Sequence, residues 1–119
     1  MDGITYLACP YSHTSATRRA TRFAAANRAA GYLMRRGEFV FSPISHTHPI
    51  ALACDLPLGF DYWEAFDRAI LAHCSRIVVL AIPGWTSSTG VKAEIEIAKE
   101  MSLPIEYLYP DTIEKEEKP

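Results

Sequence analysis

Two carboxylates, a run of hydroxyls and a pair of histidines are the residues of this sequence best suited to chemistry. Glu94 lies in Ser87-Ser88-Thr89-Gly90-Val91-Lys92-Ala93-Glu94-Ile95-Glu96-Ile97-Ala98. Val91, Ile95, Ala98 and Met101 recur there at three- and four-residue spacing, which marks one apolar stripe of a helix. Glu94 falls inside that stripe, whereas Glu96, roughly 200° away around the helix, faces solvent. An ionised carboxylate turned toward a core is costly unless it is paired or has work to do. The competing reading is a glutamate at the stripe's edge whose head group reaches water. Ser88 or Thr89 caps this helix, and hydroxyls beside free N–H groups at a helix start suit an anion. Asp67 supplies a second carboxylate on a different predicted helix. His46 and His48 form an H-x-H pair, a weak metal signal because no further His or Cys stands at useful spacing. No metal and no cofactor is expected.

These groups need elements to position them. Residues 4–8, Ile-Thr-Tyr-Leu-Ala, read as a strand stopped by Cys9-Pro10. Thr14 or Ser15 then caps a long Ala- and Arg-rich helix to about Arg36, with Phe23, Ala26, Ala30, Leu33 and Met34 as its apolar stripe. Its six arginines read as a solvated face rather than a nucleic-acid surface. Gly37 ends that helix, residues 39–41 give a second strand, and residues 42–49 form a loop carrying His46 and His48. Residues 50–59 read as loop with at most one irregular helical turn. A third helix spans 62 to about 73, capped by Asp61, with Phe66, Ala69, Ile70 and His73 as its inner face and Asp67 beside it. The uncharged β-branched run 77–82 is a buried strand broken by Pro83-Gly84. The helix bearing Glu94 follows, and residues 105–109 form a last strand.

This alternation predicts a three-layer, flavodoxin- or Rossmann-like α/β fold: a parallel sheet of four to five strands with helices on both faces. Residues 1–110 make one domain, and 111–119 are a charged, frayed tail. The loops after the first three strands then meet at the carboxyl edge of the sheet, where such folds bind ligands. That edge gathers Tyr6, Tyr11, His13, His46, His48, Trp85, Ser87, Ser88 and, one turn into its helix, Glu94.

The chain has 119 residues, enough for one core, and a net charge of −2 argues against binding a nucleic-acid polymer as its main role. Mean hydropathy is close to zero. No apolar stretch is long enough for a bilayer span and no signal-peptide core follows Met1, so no membrane association and a cytoplasmic location are expected. Cys9, Cys54 and Cys74 lack C-x-x-C spacing and read as buried free thiols.

Three motifs taken together resemble the nucleoside 2-deoxyribosyltransferase superfamily, and its 2′-deoxynucleoside 5′-phosphate N-hydrolase branch in particular. They are Tyr6-Leu7-Ala8-Cys9-Pro10-Tyr11, then Asp67 seven residues before Cys74-Ser75, then Ser88-x-Gly90-Val91-x-x-Glu94-x-x-x-Ala98. The resemblance runs from Ile4 to about Tyr109. It implies that Glu94 attacks the sugar, that Asp67 contacts the sugar and assists the departing base, that Tyr6 is the strand-one tyrosine of the site, and that Ser88 holds a substrate phosphate. The sequence departs from that branch where Cys9, Ser12 and His13 replace its glycine and arginine, and where Ser75 replaces an aspartate. His13 is the candidate for a substitute phosphate contact.

The chemistry agrees with what the resemblance implies. Cleaving an N-glycosidic bond builds positive charge on the sugar, which a carboxylate beneath C1′ stabilises or captures covalently. Tyr6, Tyr11, Trp63 and Trp85 are candidates to stack on a base, and each of them also suits a core position. Expected partners are a nucleoside or nucleotide substrate and a second copy of the chain. Tyr62, Trp63 and Phe66 offer more aromatic surface than a small core hides, and the resembling family assembles as dimers or dimers of dimers, with residues near the C-terminus reaching the adjoining site. Tyr107 and Tyr109 are the corresponding candidates here. A ligand sensor built on the same edge is the alternative, although a sensor has no need of a carboxylate such as Glu94.

Overall fold

The strands of this chain are short and β-branched, and their side chains alternate between two apolar faces. The computed structural model describes residues 3–117. Four strands, β1 (Ile4–Ala8), β2 (Phe39–Phe41), β3 (Cys74–Leu80) and β4 (Ile105–Leu108), form one parallel sheet in the order β2-β1-β3-β4. Helix α1 (Ala16–Arg35) joins β1 to β2, while α2 (Pro43–His46), α3 (His48–Ala53) and α4 (Phe60–Leu71) lead back to β3. Helix α5 (Thr89–Glu100) joins β3 to β4, and α6 (Pro110–Glu117) follows β4.

Leu7, Val78 and Leu80 face α1 and α6 and bury Ala26, Ala29, Leu33 and Ile113. Tyr6, Ala8, Ile77 and Val79 face the other way, onto Leu71 of α4 and Val91, Ile97 and Ala98 of α5. The result is the expected three-layer, Rossmann-like α/β fold. Because α1 steps from β1 to one side and α5 steps from β3 to the other, right-handed crossovers place them on opposite faces. The chain therefore diverges between the carboxyl ends of β1 and β3, which opens a crevice there.

At the opposite, amino edge a charged clamp ties the strands together. Arg76 on β3 donates to Thr5 on β1 and pairs with Glu38, just before β2, and with Glu106 on β4. Thr5 in turn donates to the buried Glu38 at 2.9 Å.

Several local expectations need correction. Residues 111–117 are not a frayed tail: α6 packs Ile113 into the core, and Arg36 pairs with Glu116 at 3.1 Å. One buried isoleucine offsets the charge pattern that resembles a solvated end; Lys118 and Pro119 lie outside the described residues. Residues 43–53 form two short helices rather than loop, because Ser42 caps α2 and prolines stand in the first turns of α2 and α3. On α1, Met34 is exposed and Tyr32 is buried in its place. On α4, Gly59 rather than Asp61 occupies the cap, and Asp67 and Leu71 point inward while Phe66, Ala69 and His73 are exposed. Cys54 is an exposed thiol, and only Cys9 and Cys74 are buried. Among the described residues no helix is long and apolar enough to cross a membrane.

Candidate functional site

The crevice at the carboxyl edge is a cleft of about 800 Å³. Its floor is set by α5. Ser88 caps that helix by accepting from the Val91 N–H at 3.2 Å, which fixes where the helix starts and hence where Glu94, one turn in, points. Glu94 is 7 % exposed and lines the cleft, so the carboxylate faces inward rather than reaching bulk water. Glu96, on the same helix, is exposed.

A buried carboxylate needs a partner, and β1 supplies it. Tyr6 is fully buried, and its hydroxyl donates to Glu94 Oε2 at 2.5 Å. Among the described residues no second hydrogen bond to this carboxylate is seen. Asp67, 6 % exposed on the inner face of α4, also lines the cleft and interacts with the Tyr6 hydroxyl. Burial pushes Glu94 up to about 8, against the Tyr6 hydrogen bond, and the negative Asp67 adds to the rise. Burial likewise lifts Asp67 to about 6, while Tyr6 pulls it down. Near neutral pH this pair of carboxyls shares about one proton. Burial and the two carboxylates hold the Tyr6 phenol well above its ordinary value, so it remains a donor.

The loop after β1 forms one wall. Cys9, Tyr11, Ser12 and His13 all line the cleft. Burial pushes the Cys9 thiol up to about 12, which leaves it protonated and rules it out as a thiolate nucleophile at neutral pH. His13 is exposed and accepts the Ser15 N–H at 2.9 Å through Nδ1. Tyr11 packs on His48, their ring centroids 4.0 Å apart. Trp63 lines the cleft from α4, anchored by its indole N–H on the Pro57 carbonyl at 2.8 Å. Ser88 and Gly90 line the cleft at the start of α5, and a Cβ added at Gly90 would meet no protein atom, so the glycine leaves room on the ligand side.

Two of the sequence-derived site residues stand elsewhere. Trp85 is half-buried on the core cluster under β3 and contacts Tyr107 at a ring separation of 5.3 Å, outside the cleft lining. His46 is exposed at the end of α2, where its ring stacks on Phe41 and its Nδ1 lies 3.0 Å from the Ser42 carbonyl. His46 and His48 thus turn to different neighbours. Among the described residues no three His, Cys, Asp or Glu side chains are grouped to hold a metal ion.

The cleft also contains cations that the sequence pattern does not single out. Arg22, on α1, donates to the Ser12 carbonyl at 2.8 Å and to the Pro83 carbonyl at 3.3 Å, so it spans the loops after β1 and β3 at the point where they diverge. Arg19, one turn earlier, donates to the His13 carbonyl at 2.5 Å. Both line the cleft. Their i, i+3 spacing at the start of a helix that follows a ligand-edge loop was the available signal. Gly84 adopts φ +97°, and a Cβ there would approach Arg22 Nη2 to 2.3 Å, so that backbone shape and that arginine depend on glycine.

Residues 3–109 match the family described as "Domain of unknown function (DUF1937)". The chain belongs to the DUF1937 family. The match contains all four strands and every residue of the cleft, while α6 lies beyond it. No curated protein matches the chain. An activity for this DUF1937 domain must therefore be argued from the cleft itself.

Proposed function

We propose that the cleft cleaves the N-glycosidic bond of a deoxynucleoside, nucleoside or nucleoside 5′-monophosphate, with Glu94 as nucleophile. One observation carries this reading: a carboxylate buried on the cleft floor, held through one oxygen by the Tyr6 hydroxyl at 2.5 Å, with a second buried carboxylate, Asp67, in the same cleft. That arrangement suits a reaction in which positive charge grows on a sugar ring. The three motifs resembling the deoxyribosyltransferase superfamily support the same assignment.

In the first step the free Glu94 oxygen attacks C1′, and the C1′–N bond breaks with its electron pair passing to the base. Asp67 delivers a proton to that base as it leaves. Before this step the pair's single proton, which rests on Glu94 because burial lifts that carboxyl higher, passes to Asp67 and leaves the negative charge on Glu94, a distribution that the incipient cation and the Tyr6 hydrogen bond favour. In the second step water, or a second base, attacks C1′ of the glycosyl ester. Asp67 takes its proton, and Glu94 leaves as the carboxylate. Ser88 and the α5 N-terminus, which line the same cleft as Arg22, suit a 5′-phosphate. Tyr11 and Trp63 are the aromatic residues that line the cleft and so the ones available to stack on a base.

The deciding experiment incubates the protein with deoxynucleosides and their monophosphates and detects free base by chromatography. Wild type releases base, Glu94→Ala abolishes release while remaining folded, and Glu96→Ala changes little. Equal losses in both variants would remove Glu94 from this role, and tight binding without base release would make the cleft a sensor.

We also propose that the protein is cytoplasmic and assembles as a homodimer or larger homo-oligomer. Tyr62 and Phe66 are 50 % and 41 % exposed beside the half-buried Trp63, an aromatic surface of the kind that interfaces use. Tyr107 and Tyr109 are exposed as well. Light scattering is expected to give at least twice the 13.3 kDa chain mass. Tyr62→Glu should then shift the protein toward monomer, and a fully active wild-type monomer at nanomolar concentration contradicts the assignment.

A further inference from the structure

Among the described residues one buried side-chain nitrogen or oxygen has no hydrogen-bond partner: Nε2 of His48. Leaving such a group without a partner destabilises the fold, and where a fold keeps one the site calls for an explanation. His48 opens α3 and lines the cleft. The Tyr11 ring lies against it, 4.0 Å between centroids, and belongs to the loop after β1 rather than to a helix or strand. Burial lowers the affinity of the imidazole for a second proton, so the ring stays neutral and offers a single hydrogen bond rather than a charge.

A neutral imidazole is a poor match for a phosphate and a good one for the polar edge of a heterocycle. Its surroundings point the same way. Ile44, Leu52, Leu58 and Trp63, from the same stretch of chain as His48, line the cleft with apolar surface, with Thr47 and Asp61 as polar exceptions. The cations and the helix N-terminus are contributed by α1 and α5 instead.

We propose that His48 is a specificity-determining residue: a heterocyclic base entering the cleft displaces the Tyr11 ring and takes up the open hydrogen bond at Nε2. This rests on the N-glycosidic reading of the cleft and names the part of the substrate that the segment after β2 recognises. Because the nitrogen is unsatisfied in the free protein and satisfied in the complex, removing it has opposite effects on folding and on binding. A purely structural histidine would lower both.

The test compares wild type with His48→Phe, which keeps a flat ring against Tyr11 and deletes the nitrogen, and with His48→Gln, which restores a polar atom. His48→Leu replaces His48→Phe should the phenyl ring not be accommodated. Free-protein melting temperature is measured first, then dissociation constants for dAMP, dGMP, dCMP and dTMP, and for 2-deoxyribose 5-phosphate as a probe lacking the base. His48→Phe is expected to melt about 4 °C higher than wild type. It should bind the preferred monophosphate about tenfold more weakly and the abasic sugar phosphate unchanged, with His48→Gln recovering most of the loss. Equal losses for the monophosphate and the sugar phosphate, or no loss for either, overturn the proposal while leaving the glycosidase reading intact. Wild type that neither binds nor turns over any of the four monophosphates or their nucleosides overturns both.

Discussion

The Tyr6 hydroxyl donates to Glu94 Oε2 at 2.5 Å, and this bond favours the ionised form of a carboxylate on the floor of a desolvated cleft. It opposes the burial that lifts Glu94 to about 8 and Asp67 to about 6. Activity that requires the singly protonated pair gives a bell-shaped kcat/KM profile, with apparent limbs near those two values belonging to the pair. Tyr6→Phe removes a contact that lowers both groups, so the whole bell moves to higher pH. The rate at its maximum falls by roughly 10- to 100-fold, the range for a hydrogen bond to a charged group. An unshifted profile would mean that Tyr6 only fills space beneath the site.

Glu94 leaves a signature in stability that needs no substrate. The unfolded chain releases this proton near 4.5, whereas the fold keeps it to about 8. Between those values the folded state binds more protons than the unfolded one, so stability is fully present below 4.5 and falls as pH rises. The slope approaches about 1.4 kcal/mol per pH unit at most for one group. Asp67 contributes in the same sense between 3.8 and about 6. Glu94→Gln, which cannot ionise, should therefore gain on wild type progressively from pH 5 to pH 8 in urea unfolding. A constant difference across that range would show that the carboxyl is solvated.

Much of this site was legible in the sequence because helical period and residue type point the same way there. Glu94 falls on an apolar stripe with Val91 and Ala98, and all three are buried. Apolarity puts Phe66 and Ala69 on the buried side of α4 and Asp67 beside that face. The helix instead turns Asp67 and Leu71 inward and leaves Phe66 exposed, a tertiary choice that apolarity alone cannot predict. Arg22 was hidden for another reason. Its meaning lies in reaching the carbonyls of Ser12 and Pro83, and Pro83 is 61 residues away in sequence. The clamp of Arg76 with Thr5, Glu38 and Glu106 was equally invisible, since only strand register brings those residues together. Helix α6 is not legible in the sequence because one isoleucine, Ile113, among charges carries too little apolar pattern.

Ser88 has two roles that separate cleanly. As the cap of α5 it accepts the Val91 N–H at 3.2 Å, so Ser88→Ala should cost about 1 kcal/mol of stability, visible as a lower Tm in the free protein. As part of the proposed phosphate subsite it should also raise KM for a monophosphate more than for the corresponding nucleoside. Ser88→Gly supplies the control, because glycine restores most of the cap energy without a hydroxyl. If Ser88→Gly treats monophosphate and nucleoside as wild type does, the serine is only a cap.

The bridge made by Arg22 fixes how far the loops after β1 and β3 stand apart, and Gly84 is what permits it. At φ +97° a side chain is strained, and a Cβ would lie 2.3 Å from Arg22 Nη2. Gly84→Ala therefore imposes a backbone cost of about 1 kcal/mol and forces the guanidinium away from the Pro83 carbonyl. Arg22→Ala breaks the same bridge with no backbone strain. Both variants should release the loops and weaken monophosphate binding by about tenfold, while only Gly84→Ala lowers stability through its own dihedral angle. Hydrogen exchange at residues 84–88 is the direct measurement, with faster exchange expected in each variant. Binding that falls in Gly84→Ala alone would assign the effect to loop strain and remove Arg22 from ligand recognition.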